Sequence, residues 1–288
     1  MTDIKELGKT YKLAEGEITR IEQDDEHYYF IDGEFCISVT KVLDLAAPFP
    51  EGLRQWLRNT DAQESLDYLN MTKDRGSKLH NALEGLLLAE GLDKELYPTK
   101  YEREAITSFI RVMRFLQPTN IETELVVGDK ALRLGGTMDL IATADLRRLE
   151  ILLEPTKYLD IVDDNFVLKE KFKEMLEGAP NLIRFVWDHK FTGRSTYNHK
   201  VQASKYKAMY IKSYPDNPAP SSAFTWRYSA QHKNKFQLCK ANLSEKSFDR
   251  IYDTAIEYLG KFPEPPEMPV YPDTFRLFDP ITTNKKGQ

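Results

Sequence analysis

The tripeptide Asp188-His189-Lys190, which ends an apolar run that starts at residue 182, constrains the fold more than any other segment. An apolar run of this length predicts a buried strand. Because side chains alternate along a strand, Asp188 and Lys190 should share one face while His189 points to the other. A carboxylate beside an ammonium at a strand end can hold a divalent cation and orient a water, although many such pairs are only solvated ion pairs.

A second carboxylate is predicted close by. Residues 121–127, which read Ile-Glu-Thr-Glu-Leu-Val-Val, predict a strand that leads into a turn at Gly135-Gly136. Asp139 follows among apolar neighbours that predict another strand, and a carboxylate there costs free energy unless it is paired or binds a metal. The alternative is an ordinary turn aspartate near a hairpin.

Two helix patterns add further polar groups. Gly76, His80 and Glu84 recur at four-residue spacing and therefore form one stripe of a helix, where the histidine is either a packed residue or a metal ligand. In the segment 196–210, Gln202 and Tyr206 also lie four residues apart and share a helix face. That face is either part of the core or a surface for a nucleotide.

Taken in chain order, the motifs are Gly-x-x-x-His, Gly-Thr-x-Asp, Asp-x-Lys and Gln-x-x-x-Tyr. This ordered set resembles the PD-(D/E)XK nuclease superfamily, in the RecB-like exonuclease branch, over about residues 38–240. Ser38-Val39-Thr40 and the Leu-x-x-Trp segment that ends at Trp56 are similar to a signature of phage-type and mitochondrial single-strand exonucleases. Ser38 or Thr40 can also cap a helix, and Trp56 can anchor one. The resemblance implies an α/β fold with a restriction-endonuclease-like core, a mixed central β-sheet flanked by helices, and a helical insertion.

The resemblance also implies a set of site residues. The implied catalytic residues are Asp139, Asp188 and Lys190. The implied ligands of Mg²⁺ or Mn²⁺ are His80, Asp139, Asp188 and the backbone carbonyl of His189. Gln202 and Tyr206 are implied to contact substrate, with Glu124 and Glu84 as supporting carboxylates.

The function that this resemblance implies is a metal-dependent deoxyribonuclease, more an exonuclease than an endonuclease. The expected partner is DNA that is single-stranded or has free ends, together with a recombination or replication protein. Two other functions stay open from the residues. The chain could be a nucleic-acid-binding or recombination accessory protein that does not cleave, or a metal-dependent hydrolase of a smaller phosphoester.

Composition restricts the cofactors and partners. Cys36 and Cys239 are the two cysteines of the 288-residue chain, so we expect neither a disulfide scaffold nor a four-cysteine iron–sulfur cluster. The net charge of −5 and pI near 5.7 do not favour duplex binding by the whole molecule. A local patch could still bind a single strand, because cations and tyrosines interleave after the Asp-x-Lys segment. Its cations are Arg194, His199, Lys200, Lys205, Lys207 and Lys212, with Arg227, His232, Lys233 and Lys235 further along the chain.

We expect one domain over residues 1–288. Residues 1–37 should hold a hairpin that turns at Asp32-Gly33, residues 38–120 a helical part with His80, and residues 121–240 the catalytic core with an insertion at about 145–181. Within this insertion, residues 163–178 are predicted to form a helix. Residues 241–288 should form a last helix, with Ile251, Ala255, Tyr258 and Leu259 on one face, and a proline-rich tail. No leader or membrane segment is evident, which predicts a cytoplasmic protein.

Overall fold

The computed structural model describes residues 4–23, 26–48, 51–154, 169–191 and 196–265, which form an α/β fold on a large mixed sheet. Its strands are β1 (Lys9–Leu13), β2 (Gly16–Gln23), β3 (Glu26–Ile31), β4 (Glu34–Ser38), β5 (Thr119–Asp129), β6 (Leu134–Asp145), β7 (Leu182–Lys190), β8 (Ser222–Tyr228) and β9 (Phe236–Lys240). Its helices are α1 (Val39–Ala46), α2 (Glu51–Asn59), α3 (Ala62–Leu87), α4 (Lys100–Leu116), α5 (Leu146–Leu153), α6 (Tyr197–Ser213) and α7 (Glu245–Leu259). None of the helices in these ranges is long and apolar enough to cross a membrane.

Helices cover both faces of the sheet. On β7, Phe185 and Trp187 pack in a core with α3, α4 and α5, while Val186 packs in a second core with α1, α6 and α7. Burial on both faces explains why the β7 sequence is a nearly continuous apolar run. The predicted α/β fold with a mixed, helix-flanked sheet is therefore confirmed at this level.

The first four strands form an antiparallel meander that continues into the main sheet. The predicted hairpin is present as β3 and β4, and its turn residues Asp32 and Gly33 have φ values of +50° and +84°. Positive φ at both positions is the backbone of a type I′ turn, which Asp-Gly favours. The strands β1 and β2 extend this hairpin beyond what the sequence predicted.

Local signals set the helix ends well. Thr99 caps α4 in a reciprocal box with Glu102, and Gln117 ends it in the left-handed conformation just before Pro118. Ser38 caps α1, with its Oγ accepting from the Lys41 amide at 3.0 Å. Trp56 was expected to anchor its helix, but α2 buries none of its residues, and Trp56 is half-buried against Tyr68.

The arrangement of strands around β6 creates the position of the candidate site. The strand β5 pairs along one side of β6. On the other side, β4 pairs in parallel at the start of β6 and β7 pairs antiparallel at its end. The carboxyl ends of β4 and β7 therefore approach each other beside residues 136–139. Ligands of α/β sheets commonly bind where strand order changes in this way.

The predicted turn at Gly135-Gly136 is wrong, because both glycines lie inside β6 and the chain turns at residues 130–133. A Cβ on Gly135 would lie 2.4 Å from the Tyr29 side chain, and a Cβ on Gly136 would lie 2.6 Å from the Tyr206 ring. The glycines are therefore required for two tyrosines to approach the strand from opposite faces, not for a turn.

Two further expectations need correction. The helix expected at residues 163–178 is a 3-10 helix at Glu170–Leu176 where the structure describes it, and residues 155–168 lie outside the described residues. In α7, Ile251 and Ala255 are buried as expected, but Tyr258 is 75% exposed. The buried face of α7 instead begins at Phe248, one turn before Ile251, and Phe248 packs in the same core as Ile251 and Ala255.

Candidate functional site

The β7 end carries the pair that the sequence singled out. Asp188 and Lys190 lie on one face of the strand, and the Lys190 Nζ is 2.9 Å from the Asp188 Oδ1. Asp188 is 2% exposed, and its Oδ2 is buried without a hydrogen-bond partner among the described residues. A buried carboxylate oxygen without a donor is unusual because it costs free energy. This oxygen is therefore suited to bind a cation or to accept a hydrogen bond from a ligand.

The second carboxylate, Asp139, meets the first from β6. Its Oδ2 accepts a hydrogen bond from the backbone N–H of His189 at 2.5 Å. Burial raises the pKa of both Asp139 and Asp188, and the Lys190 ammonium opposes the rise. Burial pulls the pKa of Lys190 down, but the two carboxylates outweigh it and hold the pKa above its usual value. Both carboxylates therefore lie near the Lys190 ammonium.

His80 reaches the same place from α3. Its Nδ1 is 3.7 Å from the Asp139 Oδ2, and its ring packs edge-on against Phe191. Burial, with the Lys190 charge nearby, lowers the pKa of His80 to about 4. The imidazole is therefore neutral at physiological pH, which is the form that binds metals.

The His189 side chain lies on the opposite face, as strand alternation predicted. Its Nδ1 accepts from the Trp187 Nε1 at 3.2 Å, and its ring packs edge-on against Phe109 and Trp226. The structure places its backbone N–H against Asp139. The role of its backbone carbonyl as a metal ligand stays a prediction.

Two more carboxylates, Glu124 on β5 and Glu84 on α3, lie near these groups. Glu124 lies on β5 with a φ of +49°, a left-handed conformation that is costly for a residue with a side chain. Burial, Asp139 and Glu84 together raise the pKa of Glu124 to about 7, although Arg20 opposes the rise. Strained backbone and repelling acids at one place are features that are common at functional sites.

Gln202 and Tyr206 form the wall of the site on α6. They are 8% and 4% exposed, and the Gln202 Nε2 donates to the Tyr206 hydroxyl at 3.2 Å and to the Thr40 Oγ1 at 3.1 Å. The Tyr206 ring packs against Gly136. Burial raises the pKa of Tyr206, and the nearby charges of Asp188 and Asp139 add to the rise. The structure therefore brings this pair to the carboxylates, while their contact with substrate stays a prediction.

The residues present fit a divalent cation that prefers oxygen, such as Mg²⁺ or Mn²⁺. The fit rests on the unpartnered Asp188 Oδ2, the adjacent Asp139 and the neutral nitrogen of His80. Within the described ranges, no three His, Cys, Asp or Glu groups already stand close enough to form a complete cation site. The Lys190 ammonium instead neutralises one oxygen of Asp188.

The predicted basic patch is only partly available to a ligand. Lys205 is 1% exposed and lies 3.4 Å from the buried carboxylate of Asp129, which also pairs with Lys212 at 2.7 Å. Arg194 lies outside the described residues. His199 is used in a capping box with Thr196 at the start of α6. The surface cations that remain for a phosphate chain are therefore fewer than the sequence indicated.

Several groups at the site had no sequence signal. Arg20 on β2 contacts Glu124 and Thr137, and the Tyr29 hydroxyl on β3 lies 2.8 Å from the Thr137 Oγ1. Arg20 and Glu124 are 104 positions apart in the chain. An arginine and a threonine in alternating strands look like ordinary surface residues, so no local pattern could have identified them.

Comparisons with known proteins add little to this geometry. No family model matches the chain, and no curated protein is similar to it in sequence. Among solved structures, one match is titled "Crystal structure of SSO0001", with 12% identity over 77% of this chain and 75% of that chain. Its TM-score is 0.36, so no argument rests on it.

Proposed function

We propose that the chain is a metal-dependent deoxyribonuclease that hydrolyses phosphodiester bonds, acting from strand ends. The observation that carries the proposal is the convergence of Asp139, Asp188 and Lys190 where β4 and β7 end beside β6. One buried and one partly buried carboxylate with raised pKa values, beside a lysine that pairs with the buried one, are a costly arrangement for a protein that needs only stability. The preference for strand ends comes from the family resemblance.

Each residue has a distinct role in this proposal. Asp139, Asp188 and the neutral His80 would hold the cation, which when bound supplies Lewis acidity and a more acidic water. The Lys190 ammonium would orient that water or stabilise the negative charge that develops on the phosphate. His189 holds Asp139 in place through its backbone N–H, which leaves the other carboxylate oxygen available.

Gln202 and Tyr206 would position the nucleotide next to this centre. Their mutual hydrogen bond and the contact of the Tyr206 ring with Gly136 fix the ring beside the aspartates. A fixed ring and amide are suited to hold a phosphate or base without a large loss of side-chain entropy.

The test is the degradation of end-labelled linear single-stranded DNA beside covalently closed circular DNA, with Mg²⁺ or Mn²⁺. We expect wild type to degrade the linear substrate alone, and Lys190→Ala to lose at least about a hundredfold in kcat, because one positioned general catalyst contributes about that much. The matched control is Lys130→Ala, which removes a half-exposed lysine paired with Asp32 and should leave kcat unchanged.

The other outcomes separate the alternatives. Binding of single-stranded DNA by wild type without cleavage under either metal would favour an accessory protein on a nuclease-like fold. Equal cleavage of both DNA forms would make the protein an endonuclease. Full activity of Lys190→Ala would remove Lys190 from the mechanism.

A further inference from the structure

The N-terminal meander reaches into the candidate site through one arginine. Arg20 lies on β2 and is 9% exposed. Its Nη1 donates to the Glu124 Oε2 at 3.2 Å and to the Thr137 Oγ1 at 3.3 Å, and its Nη2 donates to the Glu22 Oε1 at 2.5 Å. The guanidinium is thus held from its own strand while it contacts β5 and β6.

A tyrosine of the next strand fixes the other side of this contact. The Tyr29 hydroxyl lies 2.8 Å from the Thr137 Oγ1, and the Tyr29 ring covers Gly135 at a distance that no Cβ would permit. Thr137 therefore lies between the arginine and the tyrosine. The result is a hydrogen-bonded network from the meander to the strand that carries Asp139.

Glu124 needs such a partner. It lies on β5 across from Asp139 on β6, because the neighbouring register pairs are Thr123–Leu140 and Leu125–Met138. Two carboxylates brought together in this way repel each other. Its left-handed backbone adds a cost that local sequence does not relieve. In the described part of the chain, Arg20 is the cation that contacts its carboxylate.

We propose that Arg20 is a positioning residue that holds the Glu124 carboxylate toward Asp139, so that the meander completes the metal-binding group of acids. This inference rests on the proposed nuclease function. Arg20 and the strands β1 to β3 lie before residue 38, outside the part of the chain that resembles nucleases, so the resemblance does not assign this role. Removal of an outer contact that orients the groups of a metal site commonly lowers metal affinity or activity by about 10- to 100-fold.

The experiment compares wild type, Arg20→Ala, Arg20→Lys, Glu124→Gln and the Arg20→Ala/Glu124→Gln double variant. For each, Mn²⁺ affinity is measured by calorimetry, and kcat and KM are measured on linear single-stranded DNA. We expect Arg20→Ala to lower Mn²⁺ affinity and kcat by about 10- to 100-fold with KM for DNA little changed. Arg20→Lys should recover part of the loss, because an ammonium retains the charge.

The double variant distinguishes positioning from a general structural role. If Arg20 acts through Glu124, then Arg20→Ala should have little further effect on kcat once Glu124 is Gln. Losses that multiply in the double variant would overturn the inference. The control is again Lys130→Ala. The Lys130–Asp32 pair of 2.7 Å also joins the meander to the rest of the sheet, but it links the β5–β6 turn to the β3–β4 turn.

Folding is checked by the melting temperature of each variant. If Arg20→Ala does not fold, Arg20→Lys and Glu124→Gln carry the test. A wild-type affinity and kcat for both variants would then overturn the inference. Wild-type protein that neither binds Mn²⁺ nor cleaves DNA would instead overturn the proposed function together with the inference. An active wild type with an unimpaired Arg20→Ala variant would overturn the inference alone.

Discussion

At the scale of single residues, the candidate site concentrates like charges where water is scarce. Asp188 is 2% exposed, yet one of its oxygens has no hydrogen-bond partner in the described residues. Asp139 stands beside it, and Glu124 stands behind Asp139. Such a group lowers the stability of the folded protein and is explained most simply by a ligand that compensates the charge.

Glu124 allows a test of this cost through pH. Its pKa is raised from an ordinary value near 4.5 to about 7 in the folded protein. Between these pH values, the Glu124 carboxyl of the folded state binds a proton that the unfolded state has released. The contribution of this proton to the free energy of unfolding is therefore full below about pH 4.5 and is lost as the pH rises through about 7. Without metal, Glu124→Gln should therefore gain stability relative to wild type as pH rises.

The measurement is the melting temperature of wild type and Glu124→Gln at pH 5 and pH 8 in a chelating buffer. A difference that grows toward pH 8 supports the raised pKa. Glu95→Gln is a control, because Glu95 is exposed and lies in a short 3-10 helix away from the aspartates. The same difference at both pH values would show that Glu124 titrates normally.

At the scale of elements, α3 and β6 have different tolerance for side chains at glycine. Gly76 lies within α3, and a Cβ there would meet no atom within 4 Å. Gly136 lies within β6, where a Cβ would lie 2.6 Å from the Tyr206 ring. Both glycines belong to the sequence motifs, but packing requires a glycine only at position 136 in the strand.

Alanine substitutions at these two glycines should therefore have opposite signs. Gly76→Ala should stabilise the protein by about 0.5–1 kcal/mol, because glycine is a poor helix former. Gly136→Ala should destabilise it by about 1–3 kcal/mol, because the ring that it meets is buried and packed. Urea unfolding followed by circular dichroism gives both values, and equal stability of wild type and Gly136→Ala would contradict the packing argument.

The two halves of α3 also differ. After Leu79 its side chains enter the core with α4, whereas Leu66, Tyr68 and Met71 in its first half are at least half exposed. A helix half that buries so little apolar area depends mainly on its own hydrogen bonds. The segment that carries His80 lies on the well-packed side of this boundary, which gives the histidine a fixed position.

At the scale of the whole molecule, the site is assembled from elements that are distant in sequence. His80 comes from α3, Asp139 from β6, and Asp188 from β7. The unfolded chain does not hold these groups together, so a metal that binds them should stabilise the whole fold. This linkage gives a readout that does not depend on cleavage.

Saturating Mn²⁺ should therefore raise the melting temperature of wild type by several degrees, since an about hundredfold excess over Kd is worth about 2.7 kcal/mol. Asp188→Asn should lose this shift, because it removes a charged ligand. Asp145→Asn is the control: Asp145 lies at the other end of β6, where it caps α5, and asparagine also caps helices well. An unchanged shift in Asp188→Asn would place the metal elsewhere.

Much of the fold could be predicted from local patterns. The apolar run of β7, the Asp-Gly turn before β4 and the capping box of α4 all act over a few neighbouring residues, so their physical effects can be read without the fold. The same holds for the Asp188–Lys190 pair, because strand alternation places it. The α7 face was less well predicted, since Tyr258 satisfies the helix period but faces solvent.

The amino-acid sequence by itself determined which residues carry charge and which local elements they occupy, because propensity, alternation and capping depend on neighbours along the chain. The tertiary structure decided the rest. It placed Gly135 and Gly136 under two tyrosines, paired Lys205 with Asp129, and brought Arg20 across 104 positions to Glu124. These contacts depend on strand order and layer packing, which are set by the burial of the whole chain rather than by any segment.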